Sequence, residues 1–378
     1  MSGLSIRGLT IMPAGMPSGS PPGAVRPPVE DVSFSAPRGT VTAVLGWAGA
    51  GKTLLFAGIA GLVKPQRGAV FLDGVEITRP AAARRGIGFL PPGTDLGANR
   101  TLNASLRNIA GRAGAATVAE LLAAFDLAPL ADARLNTLTH GQGFGALAAS
   151  RLLPQGAALL VDEAATGLDG AMRGALLQYL RGQAELGRIV VIATRDPALA
   201  MQADQLILLH GGHVLQAGAP AILYAEPRDE TAARLTGPVN MLSGPVRQKM
   251  PGGFMWAAGG QKFVQAVPAG GAGLPFAPAL GHTAYLCLRP EDVKKDAACN
   301  TISATVSRVT GHGAFTQTEL MSPLGPLTMH EAGPPLHWPG LIMTVGWDPA
   351  APCLLRDEAP GPREPARHDA AAPGMTVA

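Results

Sequence analysis

The sequence is short of charge, of aromatic rings and of cysteine. Asp, Glu, Lys and Arg make up 15% of its 378 residues, against roughly a quarter in an ordinary globular chain. With 30 basic and 27 acidic residues the formal net charge is only +3. No dense Lys/Arg block occurs, which argues against a nucleic-acid partner. The three cysteines, Cys287, Cys299 and Cys353, form no CxxC pair, so neither a zinc ribbon nor a disulfide framework is expected and a reducing compartment is the default. No run approaches the ~20 apolar residues of a membrane helix. The opening MSGLSIRGLTIMPAG has one arginine and no sustained apolar stretch, which makes a poor secretory signal. Any service to a membrane is therefore expected from the side.

What the chain has is apolar surface and length. Apolar residues make up 47%, enough for a large core and for two domains. Residues 10–28, dense in Pro and Gly, are expected to form a loop. From about 29 to 235, strand-like runs alternate with helical patterns: TVTAVLG then KTLLFAGIAGL, AALLVDE then GAMRGALLQYLRGQAEL, and finally IVVIATRD. In the second helix Met172, Leu176, Leu177, Leu180 and Ala184 share one face. This alternation predicts an α/β fold, a parallel sheet with crossover helices. Ala-rich helical patterns between about 95 and 150 read as a helical insert. Beyond about 239 short alternating segments appear, such as TISATVSRV, in which Ile302, Ala304 and Val306 face one way. They predict a small β domain, barrel-like, over 239–356. Residues 357–378, DEAPGPREPARHDAAAPGMTVA, are expected to be disordered. The expected organisation is thus 1–238, 239–356 and a tail.

Residues 46–53, GWAGAGKT, satisfy GxxxxGK[ST] between a strand and a helix. In that setting Gly46, Trp47, Ala48, Gly49, Ala50 and Gly51 wrap a phosphate in backbone N–H groups, and the helix N-terminus adds partial positive charge. Lys52 reaches the β- and γ-phosphates and Thr53 ligates Mg²⁺. Residues 157–163 end an apolar strand in Asp162 and Glu163. One carboxylate can serve the Mg²⁺ site and the next can polarise the attacking water. ATP and Mg²⁺ are the expected cofactors. Residues 189–196, IVVIATRD, deliver Thr194, Arg195 and Asp196 to the same carboxyl edge, where α/β proteins hold ligands.

Between the phosphate loop and the acidic strand lies LTHGQ, Leu138, Thr139, His140, Gly141 and Gln142. In this order of motifs the chain resembles the ATP-binding subunits of ABC transporters over roughly residues 4–235. Their signature reads LSGGQ, and their loop after the magnesium-binding strand ends in Asp, matched here by Asp169. The stretch HGGHVLQAGAPAILYAEP, 210–227, resembles a segment typical of importer subunits with a C-terminal regulatory β domain. LCLRPEDV, 286–293, resembles the RPE element of that domain, called TOBE. The resemblance implies a P-loop ATPase domain followed by a TOBE domain of OB-like type. It also implies a head-to-tail, ATP-dependent homodimer in which the signature of one subunit closes over the ATP of the other. Permease subunits above it and, indirectly, a periplasmic solute-binding protein complete the expected partners, on the cytoplasmic face of the bacterial inner membrane.

Four departures stand against that pattern. Arg195 occupies the place of a histidine that relatives keep at the strand tip, so it and Glu163 are the candidate catalytic pair. Arginine binds phosphate with a fork of donors but accepts no hydrogen bond. Pro92 replaces a nucleotide-sensing glutamine, His140 replaces the first signature glycine, and the adenine-stacking aromatic is missing from 10–28. Phe34, the nearest aromatic, belongs to the strand core. The favoured reading is an energy-coupling importer ATPase. Its rival is a degenerate subunit that binds nucleotide and hydrolyses it slowly, in a regulatory or structural role. A P-loop small-molecule kinase leaves LTHGQ and the 210–227 segment unexplained.

Overall fold

The computed structural model describes residues 3–12, 28–91, 100–110, 114–139, 141–143, 145–146, 149, 156–163, 170–267 and 278–355. Three strands are buried at every position: Val41–Leu45 (β3), Ala158–Asp162 (β7) and Ile189–Thr194 (β8). Unbroken apolar runs of this kind suit a sheet covered on both faces. They lie at the centre of a six-stranded sheet, with Ile87–Leu90 (β6), Gln205–His210 (β9) and His213–Gly218 (β10), in the order β10-β9-β3-β8-β7-β6. All neighbours are parallel except the β9–β10 hairpin.

Alternate residues of the central strands feed two cores. Leu159, Val161, Val190 and Ile192 pack with Leu121 of the helix Gly114–Ala124, with Phe125 just beyond its end, and with Leu176, Leu180 and Ala184 of the helix Gly170–Glu185. These last three residues belong to the predicted face, Leu177 packs partly buried against the same core, and the Met172 side chain lies outside the described ones. Leu160, Val191 and Ala193 point the other way. They meet Leu55, Phe56 and Ile59 of α1 (Lys52–Ala60) and a four-stranded antiparallel sheet. That sheet runs β2-β1-β4-β5, from Val29–Pro37 (β2), Gly3–Ile11 (β1), Arg67–Leu72 (β4) and Val75–Glu76 (β5). The expected loop over 10–28 is therefore corrected at its start, because Thr10 and Ile11 finish β1. Residues 13–27 lie outside the described residues. Phe34 is buried in β2, as expected. The helical insert is seen as Leu102–Ala110 (α2) and Gly114–Ala124 (α3), followed by two short 3₁₀ turns.

Residues 240–354 form two five-stranded antiparallel sheets. One is Gln261–Ala266, Gly253–Ala258, Asn240–Met250, Thr283–Leu288 and Cys353–Leu354. The other is Lys294–Lys295, Ile342–Gly346, Ile302–Gly311, Phe315–Ser322 and Gly325–Ala332. Both sheets face one core, in which Trp256, Phe263 and Trp347 stack in series with ring centroids 5.0 and 5.3 Å apart. Ile302, Ala304 and Val306 enter it from one face, as their alternation predicted.

Candidate functional site

Strand register assembles the site. Leu45 pairs with Thr194 and Asp162 with Ala193, so the ends of β3, β7 and β8 stand side by side. The segments that continue from them, Gly46–Thr53, Glu163 and Arg195, therefore emerge at one carboxyl edge. Two backbone bonds tie them together: the Gly46 N–H donates to the Thr194 carbonyl (3.3 Å) and the Glu163 N–H to the Ala193 carbonyl (2.9 Å).

The phosphate loop needs its glycines for two different reasons. At Gly51 the backbone is left-handed (φ 97°) and a Cβ would lie 2.4 Å from the Pro28 carbonyl oxygen. At Gly46 a Cβ would lie 2.4 Å from the Leu209 carbonyl oxygen, so a side chain would push the loop off its strands. Ala50 is buried, and its N–H closes a turn onto the Trp47 carbonyl at 3.2 Å. Trp47 is 41% exposed, its ring edge-on to His210 with centroids 5.4 Å apart. The motif did not signal that pair.

Four charged groups meet behind the loop. Lys52 is buried, and its Nζ donates to the carbonyls of Gly46 (2.7 Å) and Trp47 (3.0 Å). It also forms an ion pair with Glu163, 3.2 Å from Oε1. Glu163 Oε2 in turn lies 2.9 Å from Arg195 Nη2. The pairing of strand-tip arginine with strand-tip glutamate is thus present. Glu163 sits at φ 50°, a left-handed conformation uncommon for a residue with a side chain and concentrated at functional sites. Asp162 is fully buried and neither of its oxygens has a hydrogen-bond partner. Burial pushes its carboxyl up to about 6, against the opposing pull of the adjacent Thr53 hydroxyl, which is close without bonding geometry, and of Lys52. A dry, unpartnered carboxylate beside a hydroxyl at a helix N-terminus offers hard oxygen ligands to a divalent cation.

The remaining predicted residues divide between placed and unplaced. Leu138 is half-buried and Thr139 exposed. The Thr139 N–H donates to Gln142 Oε1 (2.9 Å), and the Gln142 N–H reaches Thr139 Oγ1 at 3.4 Å. This is a capping box that starts a helix at Gly141. The T-x-x-Q spacing could have announced it. His140, Pro92 and Asp169 lie outside the described residues. Asp196, next to Arg195, caps the short helix Pro197–Ala200 by accepting from the Ala198 N–H at 2.9 Å.

Both the first and the last part of the chain match known protein families. The ABC transporter family model matches residues 29–166 and the TOBE domain model residues 286–355. A sulfate/thiosulfate import ATP-binding protein of Chromobacterium violaceum is 33% identical over 305 residues, covering 77% of this chain and 79% of its own length. One from Salmonella typhi is 30% identical over 352 residues, 88% of this chain and 86% of its own. A solved ATP-binding subunit of an ABC transporter superposes with a TM-score of 0.50 at 26% identity, over 59% of this chain and 92% of its own. A solved bacterial ABC exporter with ATP bound shares the fold at TM-score 0.53 and 20% identity. Relatives that are import ATP-binding proteins favour the energy-coupling reading over the degenerate one. With such similarity across most of its length, the chain belongs to the ATP-binding subunits of ABC importers, ATP hydrolases that carry a TOBE domain.

Proposed function

We propose that the chain hydrolyses Mg-ATP in a head-to-tail homodimer on the cytoplasmic face of a bacterial inner membrane. There it drives a permease supplied by a periplasmic solute-binding protein. Residues 1–238 form the motor, 239–356 the regulatory β domain and 357–378 a tail outside both. The observation that carries this reading is the convergence of Lys52, Asp162, Glu163 and Arg195 behind the glycine loop. Gly46 to Gly51 present backbone donors to the phosphates, and Lys52 supplies the buried cation. Thr53 and the unpartnered Asp162 would hold Mg²⁺, which bridges phosphate oxygens and neutralises developing charge. Glu163 polarises the attacking water, and Arg195 faces the terminal phosphate. Leu138–Gln142 and Asp169 act across the dimer, where the capped N-terminus of the signature helix offers partial positive charge to the partner's nucleotide. Among the described residues no helix is long and apolar enough to cross a membrane, in keeping with a peripheral subunit. The named relatives include importers of sulfate/thiosulfate, ferric iron and methionine, so the permease and binding protein, rather than this chain, select the solute.

The test is Mg²⁺-dependent phosphate release by the full chain. Lys52→Ala is expected to abolish nucleotide binding. Glu163→Gln is expected to retain binding, lose turnover and elute as a dimer under Mg-ATP by light scattering. Unchanged ATP affinity in Lys52→Ala, or a Glu163→Gln chain that stays monomeric at saturating Mg-ATP, would overturn the proposal.

A further inference from the structure

Glu163 is an anion held between two cations of different character. Lys52 is buried and immobilised by two loop carbonyls. Arg195 is 47% exposed at the rim of the site. The residues on either side of Arg195 are fixed. Thr194 is buried and its hydroxyl accepts from the Asp196 N–H at 3.0 Å, while Asp196 caps a helix. The Arg195 side chain is therefore the part of this strand tip with room to move. Glu163 Oε1 lies 3.2 Å from the Lys52 ammonium, on which an arriving phosphate oxygen would have to seat, while the hydrogen bonds of that ammonium go to the two loop carbonyls. Guanidinium binds carboxylate and phosphate with the same fork.

We propose that Glu163 holds, in the nucleotide-free chain, the seat of the terminal phosphate of ATP, and that Arg195 exchanges its carboxylate partner for that phosphate. Arg195 is then the residue that separates ATP from ADP, since ADP carries no group that reaches the rim. The exchange also releases Glu163 from both cations at the moment its carboxylate is needed for water. The inference rests on the phosphate-loop reading above and adds to it a change of partner.

Exchange and a static pair predict opposite couplings. If Arg195 leaves Glu163 for phosphate, the lost carboxylate contact offsets part of the phosphate contact. Arg195→Ala then costs little in the native background and more where Glu163 is already neutral. If Arg195 stays on Glu163, its removal unmasks a negative charge beside the nucleotide. The cost then appears in the native background and vanishes with Glu163→Gln. The measurement is equilibrium binding of Mg²⁺ with a non-hydrolysable ATP analogue, and of Mg-ADP, to the full chain and to Arg195→Ala, Glu163→Gln and the double variant. The expected loss for the ATP analogue is about threefold in the native background and about tenfold in Glu163→Gln, the scale of one charge-assisted hydrogen bond. ADP affinity is expected to move by less than about twofold, because Arg195 makes no contact with it. No loss in the Glu163→Gln background, or an equal loss for ADP, would overturn the exchange while leaving the phosphate-loop reading intact. Lys52→Ala serves as the separate check on that reading: unchanged affinity for both nucleotides would remove it, and the exchange with it.

Discussion

The guanidinium of Arg289 lies over the ring of Tyr224, 3.8 Å from its centroid, and joins the β domain to the end of the ATPase domain. Arg289 is buried, and among the described residues no carboxylate forms an ion pair with it. Its donors go instead to backbone carbonyls, those of Tyr224 (2.7 Å), Ala233 (3.1 Å) and Pro238 (3.1 Å), and to Thr236 Oγ1 (2.9 Å). Ala233 and Thr236 belong to the helix Glu230–Thr236, whose C-terminal carbonyls carry partial negative charge. The charge is thus balanced by a helix end and an aromatic face. Tyr224 is held from the other side, its hydroxyl donating to Glu291 at 2.6 Å.

Arg289→Ala is accordingly expected to cost about 2–4 kcal/mol, because several buried acceptors lose their donors together. Arg289→Lys is expected to recover only part of that, since an ammonium has no planar fork to span helix end and ring. Denaturant midpoints of the three proteins check this. An Arg289→Ala chain as stable as the native one would show that water replaces the guanidinium without cost.

How much of this was legible in the sequence depended on whether a signal was local. The glycine loop, the three fully buried strands and the 170–185 helix announce themselves within a dozen residues, and the structure places each as read. Strand β1 was not legible, because Gly8 at φ 57° breaks the alternation of Leu4 and Ile6 before it resumes out of phase at Leu9 and Ile11. The bulge makes a two-residue period look like none. The Lys52–Glu163–Arg195 chain joins residues far apart in sequence, and only the strand register brings them together. Arg289 sits in the RPE element, yet its partners come from three separate turns and helices that no spacing rule links.

Asp162 sets a pH dependence in the nucleotide-free, metal-free chain. Its folded carboxyl is raised to about 6 from an ordinary 3.8. Below about pH 4 the proton is held in both states and the group is neutral in the balance. As pH rises the unfolded group ionises first, so stability falls until the folded carboxyl ionises above about 6. The total loss is roughly 3 kcal/mol. Urea midpoints measured from pH 4 to 8 in chelator should show this slope in the native chain and lose it in Asp162→Asn. Parallel curves for the two proteins would remove Asp162 as the source.

The three free cysteines should divide by exposure. Cys287 is buried, and burial pushes its thiol up to about 11; the same effect pushes Cys353 up to about 12. Cys299 is exposed. Since the thiolate is the nucleophile, a maleimide at pH 8 is expected to modify Cys299 at least about 100-fold faster than the other two. Mass spectrometry should find one adduct on the native chain and three after denaturation. Rapid labelling of Cys287 would mean that its strand opens from the sheet.

The last prediction concerns what arginine does at the strand tip that a histidine would not. A neutral imidazole in that place could accept a hydrogen bond from the attacking water. Arg195 is a fixed cation and only donates. Its contribution to turnover should therefore be independent of pH over the physiological range. Arg195→His installs a group that titrates near ~6.5. Only the neutral imidazole can accept from water, so the variant should lose activity as pH falls through that value, by about tenfold per unit well below it. Acid losses shared by both proteins cancel in the ratio of their rates. The decisive quantity is thus kcat of Arg195→His divided by native kcat, measured at saturating Mg-ATP from pH 5.5 to 8.5. The ratio should be level above about 7.5 and fall steadily below ~6.5. A ratio flat across the whole range would mean that the strand-tip side chain does not touch the water and acts on the phosphate alone.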